Sequence, residues 1–282
     1  MAAGAVRAVG RCGVIGWPVP DPQIPSAAHA VLAEAAKAAS AAFRDARARY
    51  DRAQLAETSS IGADGTASMR LDLLVEAAIA EVVDAHRINM LSEEVGFVDN
   101  GSAVTLVADP VDGTANAAAG VPLSAFSGAI VLDGTPVEAL TCWLDTGRCW
   151  HAVAGQSPEF RTSGRRSLDG AAVSLLRPHE RSADSWWRVA KRAARVRILS
   201  TTCLETMLVA EGSTDAFADA GSDTHRIVDL VAAMVALPGA GGAVLDVHGR
   251  PLEVDPDLRR RWSGVAAATP ELAEELAATI RG

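Results

Sequence analysis

Two aspartates stand three positions apart in the stretch DPVDGTAN, Asp109 to Asn116, with a proline between them and Gly-Thr after them. Like charges this close repel unless a cation lies between them. Asp109 ends an apolar run, and a charged side chain at the carboxyl end of a buried strand marks a site more often than it marks packing. Pro110 fixes one backbone angle, and Gly113 permits a conformation that other residues resist. The DGT turn can therefore bring both carboxylates to one point. Thr114 and Asn116 are expected to open a short helix, whose free N–H groups attract an anion such as phosphate. Two carboxylates for a metal thus lie beside an N-terminus for phosphate.

Two further acids extend the pattern. Glu93 stands in LSEEVG, just after another strand candidate, and Asp229 stands in HRIVDLVAA, in the first turn of a predicted helix. With Asp109 and Asp112 they can form one site for hard, oxygen-loving cations. Each has a plainer reading when taken alone. Asp-Gly is a common turn pair, Asp229 suits the helix dipole, Thr114 can be an N-cap, and Glu94 reads as a solvated charge. No lysine or arginine partner is evident for the four acids, so a divalent metal is the expected source of positive charge.

The elements that must position these residues follow from apolar spacing. Ser26 to about Glu57 is Ala-rich, without Pro or Gly, and reads as one long helix with Ser26 as its N-cap. SSIGADGTAS, Ser59 to Ser68, is a turn-rich break. Leu71, Leu74, Val75, Ala78 and Ile79 place a second helix over about Met69–Ala85. INML and AVTLVAD read as strands, followed by three more in an antiparallel meander with turns at Asp133-Gly134 and Asp145-Thr146-Gly147. Beyond a polar, Arg-bearing segment come strand AAVSLL, a helix through SADSWWRVAKRAARV, a short strand RILS, helix LETMLVA and strand TDAFAD. Helix Ile227 to Leu237, strands GAVLDV and SGVAAA, and a closing helix from Pro270 complete the order. Helices, a meander and then mixed α and β fit an α/β (α+β) chain of layered sheets and helices.

The chain has 282 residues, one large domain or two lobes at about 150 residues per domain. The expected division is a flexible N-terminal tail over 1–24 and a single domain over 25–282, with lobes of about 25–155 and 156–282. The formal net charge of -9 argues against nucleic acid or an anionic membrane as partner. No apolar run approaches the roughly 20 residues of a membrane span. The N-terminus carries Arg7 and Arg11, but its apolar runs are broken by Gly10, Gly13 and Pro18, so no signal peptide is read there. Cys12, Cys142, Cys149 and Cys203 form no CxxC pair and are read as reduced thiols of a cytoplasmic protein.

DPVDGTAN resembles the signature of the inositol monophosphatase superfamily, the magnesium-dependent, lithium-sensitive phosphatases. SEE looks like the family's acidic pair, and VDLVAAMVALPGAGGAV looks like its second signature. GADGTASMRLDLLVEAAI is similar to the segment that carries the family's catalytic aspartate, which puts Asp72 at that position. The resemblance runs from about Ser26 to the end, with all four segments in the family's order. It implies a layered α-β-α-β-α sandwich. It also implies that Glu93, Asp109 and the Val111 carbonyl hold one Mg2+, and that Asp109, Asp112 and Asp229 hold a second. Thr114 would pair with Asp72 near the attacking water, with Glu93 in the catalytic group, while the Gly113 and Thr114 amides hold phosphate. Asp219, Thr201 and Thr202 fall on substrate-contacting positions. The family commonly forms homodimers, and Trp143 and Trp150 lie on two arms of one predicted hairpin. They are placed either at such an interface or beneath the first long helix. The family site needs no histidine, so His225 is read as a loop or substrate-rim residue.

The chain departs from the family's pattern mainly on the substrate side. Val228 stands where Trp is usual and Met69 where Thr is usual. A common Lys is missing near Ile61, and a Gly-Ser-Ala turn reads Ser200-Thr201-Thr202. The segment before Asp229 looks about three residues longer than usual. The implied function is a magnesium-dependent phosphomonoesterase acting on a small phosphorylated polyol, sugar or nucleotide. Inositol monophosphate is the default, because an acid at Asp219 suits hydroxyls. The alternatives are a 3′-phosphoadenosine nucleotide, a histidinol-type amine phosphate, a secondary-metabolite phosphate, or a non-catalytic relative that keeps the fold.

Overall fold

A computed structural model describes residues 18–282. The first half runs α1 (Ala30–Arg49), α2 (Arg52–Leu55), β1 (Thr58–Ile61), β2 (Ala67–Met69), α3 (Arg70–His86), β3 (Asn89–Ser92), β4 (Gly96–Val98), β5 (Val104–Asp112), α4 (Thr114–Ala119), β6 (Ala125–Leu132), β7 (Thr135–Trp143) and β8 (Cys149–Val153). The second half runs β9 (Ala172–Leu175), α5 (Ala183–Ala190), β10 (Arg195–Arg197), α6 (Thr202–Ala210), β11 (Ala216–Ala218), α7 (Ile227–Ala240), β12 (Ala243–Asp246), β13 (Gly264–Ala267) and α8 (Pro270–Arg281).

β4 to β8 form a six-stranded sheet with β3, in the order β4-β3-β5-β6-β7-β8, and a five-stranded sheet runs β10-β9-β11-β13-β12. Strand alternation sorts the core into layers, because successive side chains face opposite sides. In β5, Leu106 and Ala108 pack with α1 and α3, whereas Val107 packs with α6 and α7. In β11, Phe217 faces α6 and α7, whereas Ala216 and Ala218 face α8. The result is α1/α3, sheet, α6/α7, sheet, α5/α8: the expected α-β-α-β-α sandwich. α7 lies between the sheets, so it is buried on nearly every side, as an all-round apolar helix must be.

Several local expectations are corrected. The first long helix is two: α1 begins after His29, not Ser26, and the chain leaves helical geometry at Tyr50. Asp51 and Gln54 then form a capping box, with Asp51 Oδ1 accepting from the Gln54 N–H at 2.9 Å. That box satisfies the free N–H groups of a new helix start, which makes the break cheap. The Ser59–Ser68 break is a hairpin whose arms, β1 and β2, pair antiparallel. β4, unread in the sequence, is three residues long and pairs with the edge of β3. At the β6–β7 turn, Asp133 (φ 47°) and Gly134 (φ 79°) both adopt the left-handed backbone that a two-residue hairpin demands.

Residues 1–17 of the expected tail lie outside the described residues. The rest of it is mostly exposed but anchored at two points: Val19 is buried, and the Gln23 N–H donates to the Gly147 carbonyl at 2.7 Å. Cys142 and Cys149 are not reduced thiols but a disulfide across directly opposed positions of β7 and β8. Pairing by hairpin register, not by a CxxC motif, brings them together. Cys203 is free and buried, and Cys12 lies outside the described residues. Neither indole lies beneath α1. Trp150 is buried in the α7 layer with its Nε1 donating to Glu211 at 2.8 Å, and Trp143 packs against the same layer. Among the described residues no helix is long and apolar enough to cross a membrane.

Candidate active site

The two aspartates of the DPVDG stretch meet because β5 is irregular. Its pairing with β6 steps from Asp109↔Ser127 to Asp112↔Ala125, so three positions on β5 oppose two on β6. In a regular strand, residues three apart point to opposite faces. One extra residue, at Pro110–Val111, re-aims the side chains, the usual effect of a bulge. Pro110 fits there because a bulged position need not donate to the ladder. Ligand atoms of Asp109, Asp112 and Cys203 consequently lie within 4.8 Å of one another. Gly113 then turns the chain at φ 82°, and a Cβ there would come 2.6 Å from the Leu123 carbonyl oxygen.

Thr114 opens α4, and its Oγ1 lies 2.6 Å from Asp72 Oδ1 and 2.8 Å from the Val111 carbonyl. The expected pair of Asp72 and Thr114 is therefore formed, beside the bulge that carries Asp109. Asp72, in the first turn of α3, is buried, not an exposed helix charge. Burial pushes its carboxyl well above the usual range against the Thr114 hydrogen bond, and the charges of Glu93 and Glu94 add to the rise.

The expectation that the acids lack a cationic partner is wrong. Arg226 sits at the start of α7 with its guanidinium among them. Its Nη1 lies 3.0 Å from Asp64 and 2.5 Å from Glu93, and its Nη2 lies 2.7 Å from Asp229. Burial alone would raise Asp229, but Arg226 outweighs it and the carboxyl falls below its usual range. Glu93 is still raised to about 7 by burial, with Arg226 only partly opposing it. Burial also raises Asp112 to about 6, and drives Asp109 well up with help from the charges of Glu93 and Asp112. One guanidinium does not neutralise the cluster. The donors are oxygens, buried and mutually repelling, and this is a set that a hard divalent cation relieves. Cys203 is a poor ligand here, because burial and the neighbouring acids hold it firmly as the thiol. Glu94 is no solvated charge either; it is half-buried and accepts from the Ser68 hydroxyl.

Two residues of this neighbourhood were missed in the sequence. Asp64 is buried, with its carboxylate between Arg226, Thr66 and Arg261. Glu205, on α6, is buried and raised to about 8 by that burial. It accepts from the Thr201 N–H at 3.2 Å and the Leu199 N–H at 3.4 Å. It thereby supports a loop in which Ser200 adopts φ 60°. The Arg226–Asp229 spacing of three on a helix start was a readable signal; the roles of Asp64 and Glu205 had none.

The substrate-side expectations fare differently. Thr202 lines a cavity of about 270 Å³ that also takes in Asp112, Arg177, His179, Ser200 and Thr224. Thr201 does not face it but is buried and donates its hydroxyl to Asp112 Oδ2. Asp219 is fully buried beneath the loop that follows it. Its oxygens accept from the Ser222 N–H at 2.8 Å, the Ser222 hydroxyl and the Thr224 N–H at 2.9 Å. Ser222 and Thr224 take up the acid that was expected to meet substrate. His225 is buried too, with Nδ1 accepting from the Gly264 N–H at 3.1 Å, so it is not a rim residue. Asp219→Ala should therefore act on stability and not on recognition. Stranding two buried N–H groups costs about 1–3 kcal/mol for each. A shifted denaturation midpoint with an unchanged KM is the expected pair of results, and a raised KM at full stability would return Asp219 to the substrate.

A family model described as "Inositol monophosphatase family" matches residues 26–282. The chain belongs to the inositol monophosphatase family. Its members are phosphatases, phosphoric monoester hydrolases that depend on metal, and Asp109 and Asp112 form a possible acidic metal-binding cluster here. One relative is the "Fructose-1,6-bisphosphatase/inositol-1-monophosphatase" of Methanothermobacter thermautotrophicus. It is 30% identical over 247 residues, covering 79% of this chain and 87% of that protein. The "Bifunctional NADP phosphatase/NAD kinase" of Methanococcus maripaludis is 28% identical over 241 residues, 75% of this chain but 42% of that protein. Among solved structures, the extragenic suppressor protein suhB of Bartonella henselae superposes with a TM-score of 0.74 at 23% identity. The match covers 89% of this chain and 97% of that one, a likeness of fold.

Proposed function

We propose that this family member is a Mg2+-dependent phosphomonoesterase acting on a small phosphorylated polyol, sugar or nucleotide. The observation that carries the reading is the Thr114–Asp72 hydrogen bond, set beside two aspartates that one bulge turns together. In this reading Glu93, Asp109 and the Val111 carbonyl would hold one ion, and Asp109, Asp112 and Asp229 a second. Bound divalent ions supply a lowered pKa for the attacking water and charge stabilisation for the leaving oxygen. The chain's own residues do the rest. Asp72, buried and raised, accepts a proton at its carboxylate, and Thr114 orients the water from the same corner. The Gly113 and Thr114 amides receive the phosphate oxygens.

The cavity next to Asp112 narrows the substrate. Asp219 no longer argues for inositol, and the acidic rim that would favour an amine is lacking, since Asp223 is paired with Arg250 at 2.6 Å. The hydroxyls of Ser200, Thr202 and Thr224 suit a polyol or sugar. Arg177, exposed on the cavity wall, favours a second reading, a substrate with a further anionic group such as a sugar bisphosphate or a 3′-phosphoadenosine nucleotide. Phosphate release from a panel of these compounds, with and without Mg2+ and with added Li+, tests both. Arg177→Ala should raise KM for doubly anionic substrates about 10- to 150-fold, the loss of one charged hydrogen bond. Its KM for inositol monophosphate should change little. Equal effects on every substrate would remove the second reading, and no release from any of them would favour a non-catalytic relative. The homodimer, to which buried Trp150 no longer lends support, is tested by sedimentation at micromolar concentration, where a monomer would end it.

A further inference from the structure

Arg226 is positioned by more than its ligand-side contacts. Its Nη1 bridges Glu93 to Asp64, while Nη2 and Nε span the two oxygens of Asp229, Nε at 3.2 Å from Oδ2. Its own backbone N–H donates to the same Oδ2 at 2.6 Å. Asp64 is outside the proposed ligand set and is fully buried at its side chain. It is anchored by the Thr66 N–H at 2.7 Å, the Thr66 hydroxyl at 2.8 Å and Arg261. Asp64 thus holds the guanidinium through a contact that is independent of Glu93 and Asp229.

Two consequences follow from charge alone. Without divalent ions, Arg226 offsets repulsion between Glu93 and Asp229 and keeps them at the site. With them, the same fixed charge repels a dication at close range, where screening by water is weak. We propose that Arg226 is a resident counter-cation of the acidic cluster: it positions Glu93 and Asp229 in the metal-free protein and weakens divalent-ion binding to them. This rests on the metal-site reading above. Arg226 is a positioning residue, and its effect is a coupling between metal affinity and stability.

The test compares wild type, R226Q and R226K by thermal melting and by calorimetric titration with Mg2+ alone, at low ionic strength. Removing one member of a buried charge network should lower the metal-free melting temperature of R226Q by about 5–15 °C. Saturating Mg2+ should recover most of that loss, so the Mg2+-induced gain exceeds the wild-type gain. The Mg2+ dissociation constant of R226Q should fall about tenfold, and R226K, which keeps the charge, should return it toward wild type. A purely structural role would lower melting equally with and without Mg2+. Equal gains, or affinity unchanged or weakened in folded R226Q, would overturn the proposal. If R226Q survives only in Mg2+, chelation should unfold it where chelated wild type stays folded; unfolding at the same temperature would also refute the role. A wild type that shows neither a gain nor a binding heat would instead overturn the metal site itself.

Discussion

Asp109→Asn is expected to lower kcat by about 10³-fold or more without loss of the fold. The expected size follows from its place: it is the one side chain assigned to both ions, and metal-borne stabilisation of a transition state amounts to several kcal/mol at about 1.4 kcal/mol per factor of ten. The fold should survive because burial and the charges of Glu93 and Asp112 already disfavour the Asp109 carboxylate. Asparagine is isosteric, relieves that repulsion and can keep the 3.1 Å bond from the Val111 N–H. The metal-free variant should therefore melt at or above the wild-type temperature. A correctly folded Asp109→Asn protein with wild-type turnover would show that the site is misassigned. Glu94→Gln is the contrast, because Glu94 bonds Ser68 outside the proposed ligand set. It should leave kcat within a few-fold, roughly the loss of one hydrogen bond.

Removing divalent ions should abolish activity, and Mg2+ should restore it, whereas Ca2+, too large for compact octahedral coordination, should restore little. Full turnover in excess chelator would end the two-metal reading. Stability gives a second readout. In the metal-free protein, burial raises Glu93 from 4.5 to about 7 and Asp112 from 3.8 to about 6. Between those ordinary and raised values the native state holds protons that the unfolded chain has released. Stability must then fall as pH rises through that window. The chelated protein should melt lower at about pH 8 than at about pH 5, and saturating Mg2+ should shrink the difference by replacing the protons. A chelated protein whose pH trend matches the Mg2+-loaded one would show that these carboxyls do not govern it.

The sequence by itself determined most of the order of elements, the family and four of the acids that gather at the site, Glu93, Asp109, Asp112 and Asp229. Strand and helix periods are local properties, and DPVDGTAN carries its turn residues within one short stretch, so α3, β5 to β8 and α7 were readable within a few residues. The Asp72–Thr114 pair was legible only through the resemblance, since nothing local joins α3 to α4. The tertiary structure decided whatever depends on which surface covers which. The helix break at Asp51 and Gln54 is the exception, a local capping box that was legible in the sequence and overlooked in an Ala-rich run. The disulfide followed from strand register. Trp150 went beneath α7 because a second sheet needs that layer filled. Asp219 shows the limit most plainly, for a carboxylate read as a substrate contact was folded under the loop that follows it, on Ser222 and Thr224. Arg226 shows the converse: a cation three residues from Asp229 gained two more acid partners, Asp64 and Glu93, from distant parts of the chain. Charges find their partners across folded distances that sequence spacing does not encode, whereas the backbone geometry that aims them is written locally.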